Sequence, residues 1–289
     1  MHAESPQDGD LYAVALADVV AGVPYNSGTQ LLEYFAGRRF APNVGMSCAF
    51  QSFHVAERVV ALGGPTAVFL RDGRHVAASY RTDDEMVVLD PYLLHPVPLR
   101  VPLHAHPGSR TAVDAYPWRS KSDGSSAPSR LEGSWDQDAQ VLRLNYVRYS
   151  PTRGHNVLSR SFALPASSAF TDYPSPPAVV RERLLDPEQH SVSVRVVQAG
   201  EGLMSEAVLP LRGIGTDNPA VPHQIVTKDN AGSVARPGTH AYQQAMAEVS
   251  DVTGMSTPDL VTLLLDAGRT YASAAPVGRD LPVYSLADE

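Results

Sequence analysis

Cysteine is almost absent from this chain of 289 residues, since Cys48 is the only one. A single thiol excludes an internal disulfide and favours a reducing compartment, so the sequence predicts a cytoplasmic protein. No apolar run reaches the roughly 18 residues that a membrane span requires, and no basic segment followed by an apolar one opens the chain. We therefore expect neither a membrane span nor a secretory leader.

Positive charge is also scarce. The 23 basic residues are outnumbered by 31 acidic ones, which gives a formal net charge of −8. Non-specific nucleic-acid binding requires a basic face, and this composition argues against it. The hydrophobic content of 43% is enough to bury a full core. We expect a globular protein without a nucleic-acid partner; the composition does not indicate its oligomeric state.

The single cysteine lies at the start of a predicted helix. Phe50 and Phe53 begin an apolar stripe of helical period, which predicts a helix over residues 48–62 with Ser47 as its N-cap. A cysteine in a first turn lies near unpaired backbone N–H groups and the positive end of the helix dipole, which lower the pKa of its thiol. The alternative is that Cys48 is a small hydrophobic residue filling the core.

A histidine and an aspartate follow at the ends of predicted strands. Three short strands are expected after the helix, over Thr66–Leu70, His75–Tyr80 and Met86–Leu89. Such an antiparallel meander, packed on the helix, would bring His75 and Asp90 to the edge that faces Cys48. A thiol with a base held in one tautomer by a carboxylate is a nucleophilic site. Alternatively, His75 is a solvent-facing residue at a strand end and Asp90 a turn residue.

The rest of the chain predicts an α+β protein in three parts. Alternating strand patterns after residue 140 indicate an antiparallel sheet or small barrel, and the C-terminus is helical. The Ser/Gly/Asp-rich stretch Ser109–Asp138 is expected to be a long loop. The predicted units are a helical triad domain with a meander over 1–95, a β-barrel domain with the long loop over 96–230, and a C-terminal helical segment over 231–289.

The order of these elements resembles the arylamine N-acetyltransferases, which are relatives of the papain-like and transglutaminase-like thiol enzymes. Val23-Pro24-Tyr25-Asn26 stands where that family has a Pro-aromatic-Glu-Asn turn. Two motifs depart from the family: its Arg-Gly-Gly-aromatic-Cys reads Val44-Gly45-Met46-Ser47-Cys48, and its Asp-Val-Gly-Phe-Gly reads Asp90-Pro91-Tyr92-Leu93-Leu94. The resemblance implies an N-terminal helical bundle, a central antiparallel β-barrel or sheet and a C-terminal helical lid.

The spacing of the three residues is similar to that of a divergent group, the Dieckmann cyclases that release tetramic acids from hybrid polyketide–peptide assembly lines. Cys48 and His75 are 27 positions apart, and His75 and Asp90 are 15 apart. The resemblance implies that Cys48 attacks a β-ketoacyl-aminoacyl thioester on an acyl or peptidyl carrier protein, that His75 is the base, and that Asp90 orients it. No cofactor or metal is expected.

Further residues are candidates for the surroundings of this site. Asn43 is a candidate for the second oxyanion donor, with a loop-capping role as the alternative, and Tyr92 is a candidate lining residue. The Ser109–Asp138 loop and the C-terminal helices are candidates for a lid or an apolar channel, with Tyr242, Met246 and Met255, although ordinary core packing explains these three as well. An acidic carrier would require a local basic patch, for which Arg38-Arg39 and residues 181–183 are candidates.

Two other functional classes remain open at this point. An N-acyltransferase or macrolactam-forming amide synthase of the same fold would use the same three residues, with an amine as the second nucleophile. A non-catalytic protein with a structural thiol would not depend on Cys48 for activity or partner binding.

Overall fold

A computed structural model describes residues 10–106, 108–186, 188–276 and 281. The predicted tail over residues 1–9 and most of the segment after residue 276 lie outside the described residues. The helices of the described part are α1 (Leu11–Gly22), α2 (Ser27–Ala36), α3 (Cys48–Ala61), α4 (Pro177–Leu184), α5 (His240–Thr253) and α6 (Thr257–Ala274). None of these helices combines the length and apolar character needed to cross a bilayer.

The strands form three antiparallel sheets, which confirms the α+β class. They are β1 (Tyr25–Asn26), β2 (Val68–Asp72), β3 (His75–Arg81), β4 (Glu85–Leu89), β5 (Leu99–Pro102), β6 (Thr111–Ser120), β7 (Ser126–Asp136), β8 (Val141–Ser150), β9 (His155–Pro165), β10 (Ser191–Gln198), β11 (Leu203–Pro210), β12 (Val226–Lys228) and β13 (Val234–Ala235). The sheet orders are β2-β3-β4-β5, β6-β7-β8-β9 and β1-β10-β11-β12-β13.

The predicted barrel is not found among the described residues. Each of the three described sheets is open, since its two end strands do not pair with each other. Alternating strand patterns specify which face of a strand is buried, but they do not specify whether a sheet closes on itself.

The predicted loop over Ser109–Asp138 is wrong. β6 and β7 form a long hairpin there, closed by a turn over 121–125. Burial alternates along β7, but small residues such as Ala127, Ser129 and Gly133 occupy the inward positions, so the hydrophobic signal of a strand is weak. The glycine is required by close packing, since a Cβ added at Gly133 would lie 2.6 Å from a methyl carbon of Leu99.

The C-terminal helices are part of the core rather than a lid. α5 and α6 pack on β10, β11 and α2, where their apolar faces form one buried cluster. Tyr242 and Met246 belong to this cluster and Met255 packs against it, so ordinary core packing is the correct interpretation of all three. At the start of α6, Ser256 is the N-cap and its hydroxyl accepts the N–H of Asp259, while Thr257 is the first helical residue.

Helix α3 and its sheet agree with the sequence-based expectation. α3 begins at Cys48 with Ser47 as its N-cap residue, although the Ser47 side chain makes no capping hydrogen bond. The expected three-stranded meander is present, and β5 extends it to four strands. The Ser52 hydroxyl on α3 donates to the Val76 carbonyl of β3 at 2.7 Å, which fixes the helix on the strand that begins with His75.

Candidate active site

Cys48 is positioned by the loop that precedes α3. The Ser47 N–H donates to Oε1 of Gln30 at 2.6 Å, and the Met46 N–H donates to the Pro24 carbonyl at 2.9 Å. Gly45 adopts φ +105, and a Cβ there would lie 2.5 Å from the Pro24 carbonyl oxygen, so only glycine fits this close approach. The chain therefore presents Cys48 in the first turn of α3, where the backbone N–H groups have no intrahelical acceptor.

His75 and Asp90 form a buried pair beside this helix. His75 is the first residue of β3, and Asp90 follows the last residue of β4. Nε2 of His75 lies 2.7 Å from Oδ2 of Asp90. The two side chains are only 3% and 0% exposed, so the pair is shielded from water and salt. The Phe162 ring stacks on the imidazole with 3.8 Å between centroids, which holds the plane of the ring.

The three predicted residues act on one another electrostatically. Burial raises the pKa of the Cys48 thiol, but the neighbouring, positively charged His75, together with Arg74, outweighs burial, so the net pKa lies below its ordinary value. Burial lowers the pKa of His75, but Asp90 and then Cys48 raise it to about 10. The lowered pKa of the thiol and the raised pKa of the imidazole both favour the charged forms, so the arrangement stabilises a thiolate–imidazolium pair.

A second histidine, which sequence reasoning missed, holds Asp90. The Asp90 N–H donates to Nε2 of His95 at 3.0 Å, and Nδ1 of His95 lies 2.7 Å from the Val97 carbonyl. Its Nδ1 must carry the proton, because Nε2 accepts from a backbone N–H. Burial lowers the pKa of His95, which keeps this ring neutral. The sequence feature that could have indicated this role is a histidine just before Pro96, in the turn that follows Asp90.

Two cavities reach the thiol, and a third adjoins them. The triad cavity of about 1040 Å³ is lined by Cys48, His75, Tyr92 and residues of β9. The apolar cavity of about 540 Å³ is lined by Cys48 together with Phe50, Phe53, Val180 and Leu184. The arginine cavity of about 590 Å³ adjoins the triad cavity and is lined by Arg74, Arg148, Arg160 and Arg195, among others. Tyr25 lines all three, so the three cavities lie next to one another.

Tyr92 lies at the site, whereas Asn43 does not. The ring of Tyr92 is 5.4 Å from that of His75, and its hydroxyl accepts from Nε of Arg160 at 3.4 Å. Asn43 lies in a short 3-10 turn, where its amide donates to the Thr253 carbonyl at the end of α5, at 2.9 Å. It lines none of the three cavities. The expectation that Asn43 is an oxyanion donor is therefore wrong, because its side chain is used to hold α5.

The walls of the site come from segments that the sequence analysis did not assign to it. β8 and β9 contribute to the arginine and triad cavities, and α4 contributes to the apolar one. No residue of the β6–β7 hairpin, α5 or α6 lines any of the three. Within the described residues, no group of three His, Cys, Asp or Glu side chains is placed to hold a metal ion.

Comparison with solved structures returns two arylamine N-acetyltransferases. The enzyme from Mycobacterium abscessus aligns with a TM-score of 0.49 at 14% identity, over 90% of this chain and 90% of its own. Arylamine N-acetyltransferase C from Bacillus anthracis aligns with a TM-score of 0.43 at 12% identity, over 89% of this chain and 94% of its own. Both carry the name of the family that the sequence resembles. No family model and no curated protein matches the chain.

Proposed function

We propose that this protein is a Dieckmann cyclase, which closes a carrier-bound β-ketoacyl-aminoacyl thioester to a tetramic acid through an acyl-enzyme on Cys48. The observation that carries the proposal is that Cys48 lies beside the buried His75–Asp90 pair and lines both an apolar cavity and the triad cavity, which the cationic cavity adjoins. The apolar branch suits a hydrocarbon chain, and the cationic branch suits polar carbonyl groups. One folded substrate would then occupy both branches with its thioester at the thiol.

The first step is acylation of the cysteine. The Cys48 thiolate attacks the thioester carbonyl, a new C–S bond forms, and the bond to the carrier's thiol breaks. The departing thiolate takes the proton of the His75 imidazolium. The backbone N–H of Cys48, which has no intrahelical acceptor, is positioned to donate to the oxyanion.

The second step is ring closure. His75 is now neutral and takes a proton from the carbon between the ketone and the amide carbonyl, which is acidic for a C–H group. The enolate carbon attacks the acyl-enzyme carbonyl, a C–C bond forms, and the Cys48 thiolate leaves. The thiolate–imidazolium pair is restored, so the cycle needs no added acid, base or cofactor.

Exclusion of water decides between cyclisation and hydrolysis of the acyl-enzyme. Phe50 and Phe53 on α3 and Val180 and Leu184 on α4 form an apolar wall next to the thiol. A hydrocarbon tail that fills this branch would displace water from the acyl carbonyl. Holding the two reacting carbons together supplies an effective molarity on the order of 10⁵ M or more.

The proposed partner is an acyl or peptidyl carrier protein. Such a partner is acidic, and this chain also carries a net charge of −8, so docking depends on a local basic surface. Arg183 lines the apolar cavity, and the exposed Arg181 is held by the Tyr34 carbonyl at 2.9 Å. These two arginines of α4 are the proposed contact for the carrier, and a cytoplasmic location suits such a partner.

A second candidate is an N-acyltransferase or macrolactam-forming amide synthase. The size of the triad cavity favours it, since a space of about 1040 Å³ beside Cys48 can admit a separate amine. Acylation would proceed in the same way, and the amine rather than an internal enolate would attack the acyl-enzyme.

Product analysis separates the two candidates. The protein is incubated with the N-acetylcysteamine thioester of an N-(3-oxoacyl)amino acid, with and without an added aryl or alkyl amine. A cyclase releases the tetramic acid at the same rate in both, and Cys48→Ala releases none. An amide that forms only with the amine, without cyclic product, would support the second candidate and overturn the first.

A further inference from the structure

The arginine cavity carries more positive charge than its acidic residues neutralise. Four arginines line it, and Glu206 is its one acidic lining residue. Glu206 lies opposite both Arg195 and Lys228 in the sheet register, so its single carboxylate is placed between two cations. A cavity of this composition favours a negatively charged ligand.

Arg195 is the central cation of this cavity. It lies on β10, is 9% exposed, and donates from Nη2 to the Tyr92 carbonyl at 2.7 Å. Its guanidinium carbon lies 4.7 Å from the ring centroid of Tyr92 and 5.1 Å from that of Tyr25. Its buried Nε has no hydrogen-bond partner among the described residues. A buried donor without an acceptor is costly unless a ligand supplies one.

The positive charges of this cavity shift the pKa values of two residues that line it, Arg148 and Tyr92. Burial lowers the pKa of Arg148, and the charges of Arg160 and Arg195 lower it further. Burial raises the pKa of Tyr92, but Arg160 and Arg195 outweigh burial and lower it. Both effects are those expected in a space where an anion is stabilised.

The position of the cavity indicates which part of a substrate reaches it. Five residues line both the arginine and the triad cavities: Tyr25, Arg74, Tyr92, Arg160 and His190. A group bound there is therefore next to the acyl carbonyl on Cys48. The phosphate of a carrier's prosthetic arm is at the opposite end of that arm from the thioester, so it does not occupy this position while the thioester is at Cys48.

We propose that the arginine cavity binds the enolate of the substrate's 1,3-dicarbonyl unit, with Arg195 as its principal partner. This inference rests on the proposed cyclase function. The enolate spreads its negative charge over two oxygens, which matches the planar fork of a guanidinium. Stabilising that anion makes the C–H group a stronger acid, so the proton passes to His75 and the electron pair is then used in the new C–C bond.

A binding experiment tests the proposal without turnover. The probe is a 3-acetyl tetramic acid, whose 1,3-dicarbonyl is ionised at neutral pH, and the matched neutral probe is its O-methyl enol ether. Titration calorimetry with the wild-type protein is expected to show the anion binding about 10- to 100-fold more tightly than the ether. Arg195→Met is expected to remove that difference.

Controls separate charge from folding. Arg130→Met, at an exposed arginine of β7, is expected to keep the full preference for the anion. If Arg195→Met does not fold by near-UV circular dichroism, Arg160→Met provides the same test at a half-buried position. Equal binding of both probes by the wild type, or a full preference retained in the folded arginine variants, overturns the proposal. Failure of the cyclase assay combined with a strong preference for the anion would instead overturn the proposed function and leave the anion site standing.

Discussion

At the scale of single residues, the site depends on how three side chains share two protons. Nε2 of His75 is hydrogen-bonded to Asp90, so Nδ1 is the ring nitrogen that remains available to the Cys48 thiol. The carboxylate stabilises the imidazolium, and the imidazolium stabilises the thiolate. This is the reason that a half-buried cysteine, which ordinarily resists ionisation, is expected to be reactive here.

The pH dependence of alkylation tests this ion pair. The thiolate is present above the lowered pKa of Cys48 and is lost as the pH falls through that value, while His75 keeps its proton up to about 10. The rate of reaction with iodoacetamide should therefore rise at a pH below the ordinary thiol value. In His75→Asn the burial of Cys48 is no longer opposed by an imidazolium, so the inflection should move up and the rate at pH 7 should fall by about tenfold or more.

A matched control for the alkylation is His54→Asn, which removes a partly exposed histidine of the same helix α3. It should retain the wild-type profile. Identical profiles for the wild type and His75→Asn would show that the imidazole does not set the state of the thiol.

At the same scale, some of the site was predictable and some was not. Cys48, His75 and Asp90 stand at the ends of elements whose patterns are strong, so their convergence followed from local rules. Asn43 was misassigned because proximity in sequence to Cys48 says nothing about where a side chain points. Arg195 was missed because a single cation inside the buried strand SVSVRVV is unusual, and only the fold shows that it faces a cavity.

At the scale of elements, α3 and the β2–β5 sheet supply the triad, and β8, β9 and α4 supply the walls. The triad elements are close in sequence, so helix period, strand alternation and turn signals were sufficient to place them. The walls come from strands more than 50 residues further along, and a local pattern does not specify the sheet packing that brings them to Cys48. The hairpin over 111–136 was missed for a different reason, since its inward positions are filled by small and polar residues.

The C-terminal helices give a prediction at this scale. Leu264 on α6 is fully buried in the core cluster with β10 and β11. Because the helix is core rather than lid, Leu264→Ala should lower the free energy of unfolding by about 2–5 kcal/mol, measured in urea. Below the unfolding transition, its rate of Cys48 alkylation should match that of the wild type. A stable variant with altered reactivity at Cys48 would show that α6 covers the site.

At the scale of the whole molecule, the proposed function requires this acidic protein to receive its substrate from a carrier that is itself acidic. Arg183 lines the apolar cavity and Arg181 lies on the same helix, so the proposed docking surface is next to that cavity. The net charge of −8 repels an acidic carrier, so association would depend on these positively charged residues of α4.

Charge reversal on α4 tests docking separately from chemistry. Arg181→Glu should raise KM for a carrier-bound thioester by about tenfold at low salt, with little change for the N-acetylcysteamine thioester, because exposed charges steer association rather than catalysis. Arg130→Glu, on an exposed strand position, should leave both values unchanged. Equal kinetics of Arg181→Glu and the wild type with the carrier would place the docking surface elsewhere.

The central claim is that Cys48 becomes acylated by a thioester, and intact-protein mass spectrometry measures this directly. A substrate thioester that lacks the ketone has no acidic carbon, so it can acylate the enzyme but cannot cyclise. We predict one added acyl group per chain, mapped to Cys48 by peptide analysis, absent in Cys48→Ala and slower to form in Asp90→Asn by about 10²- to 10⁴-fold. An unmodified wild-type protein, or an acyl group on another residue, would contradict the account.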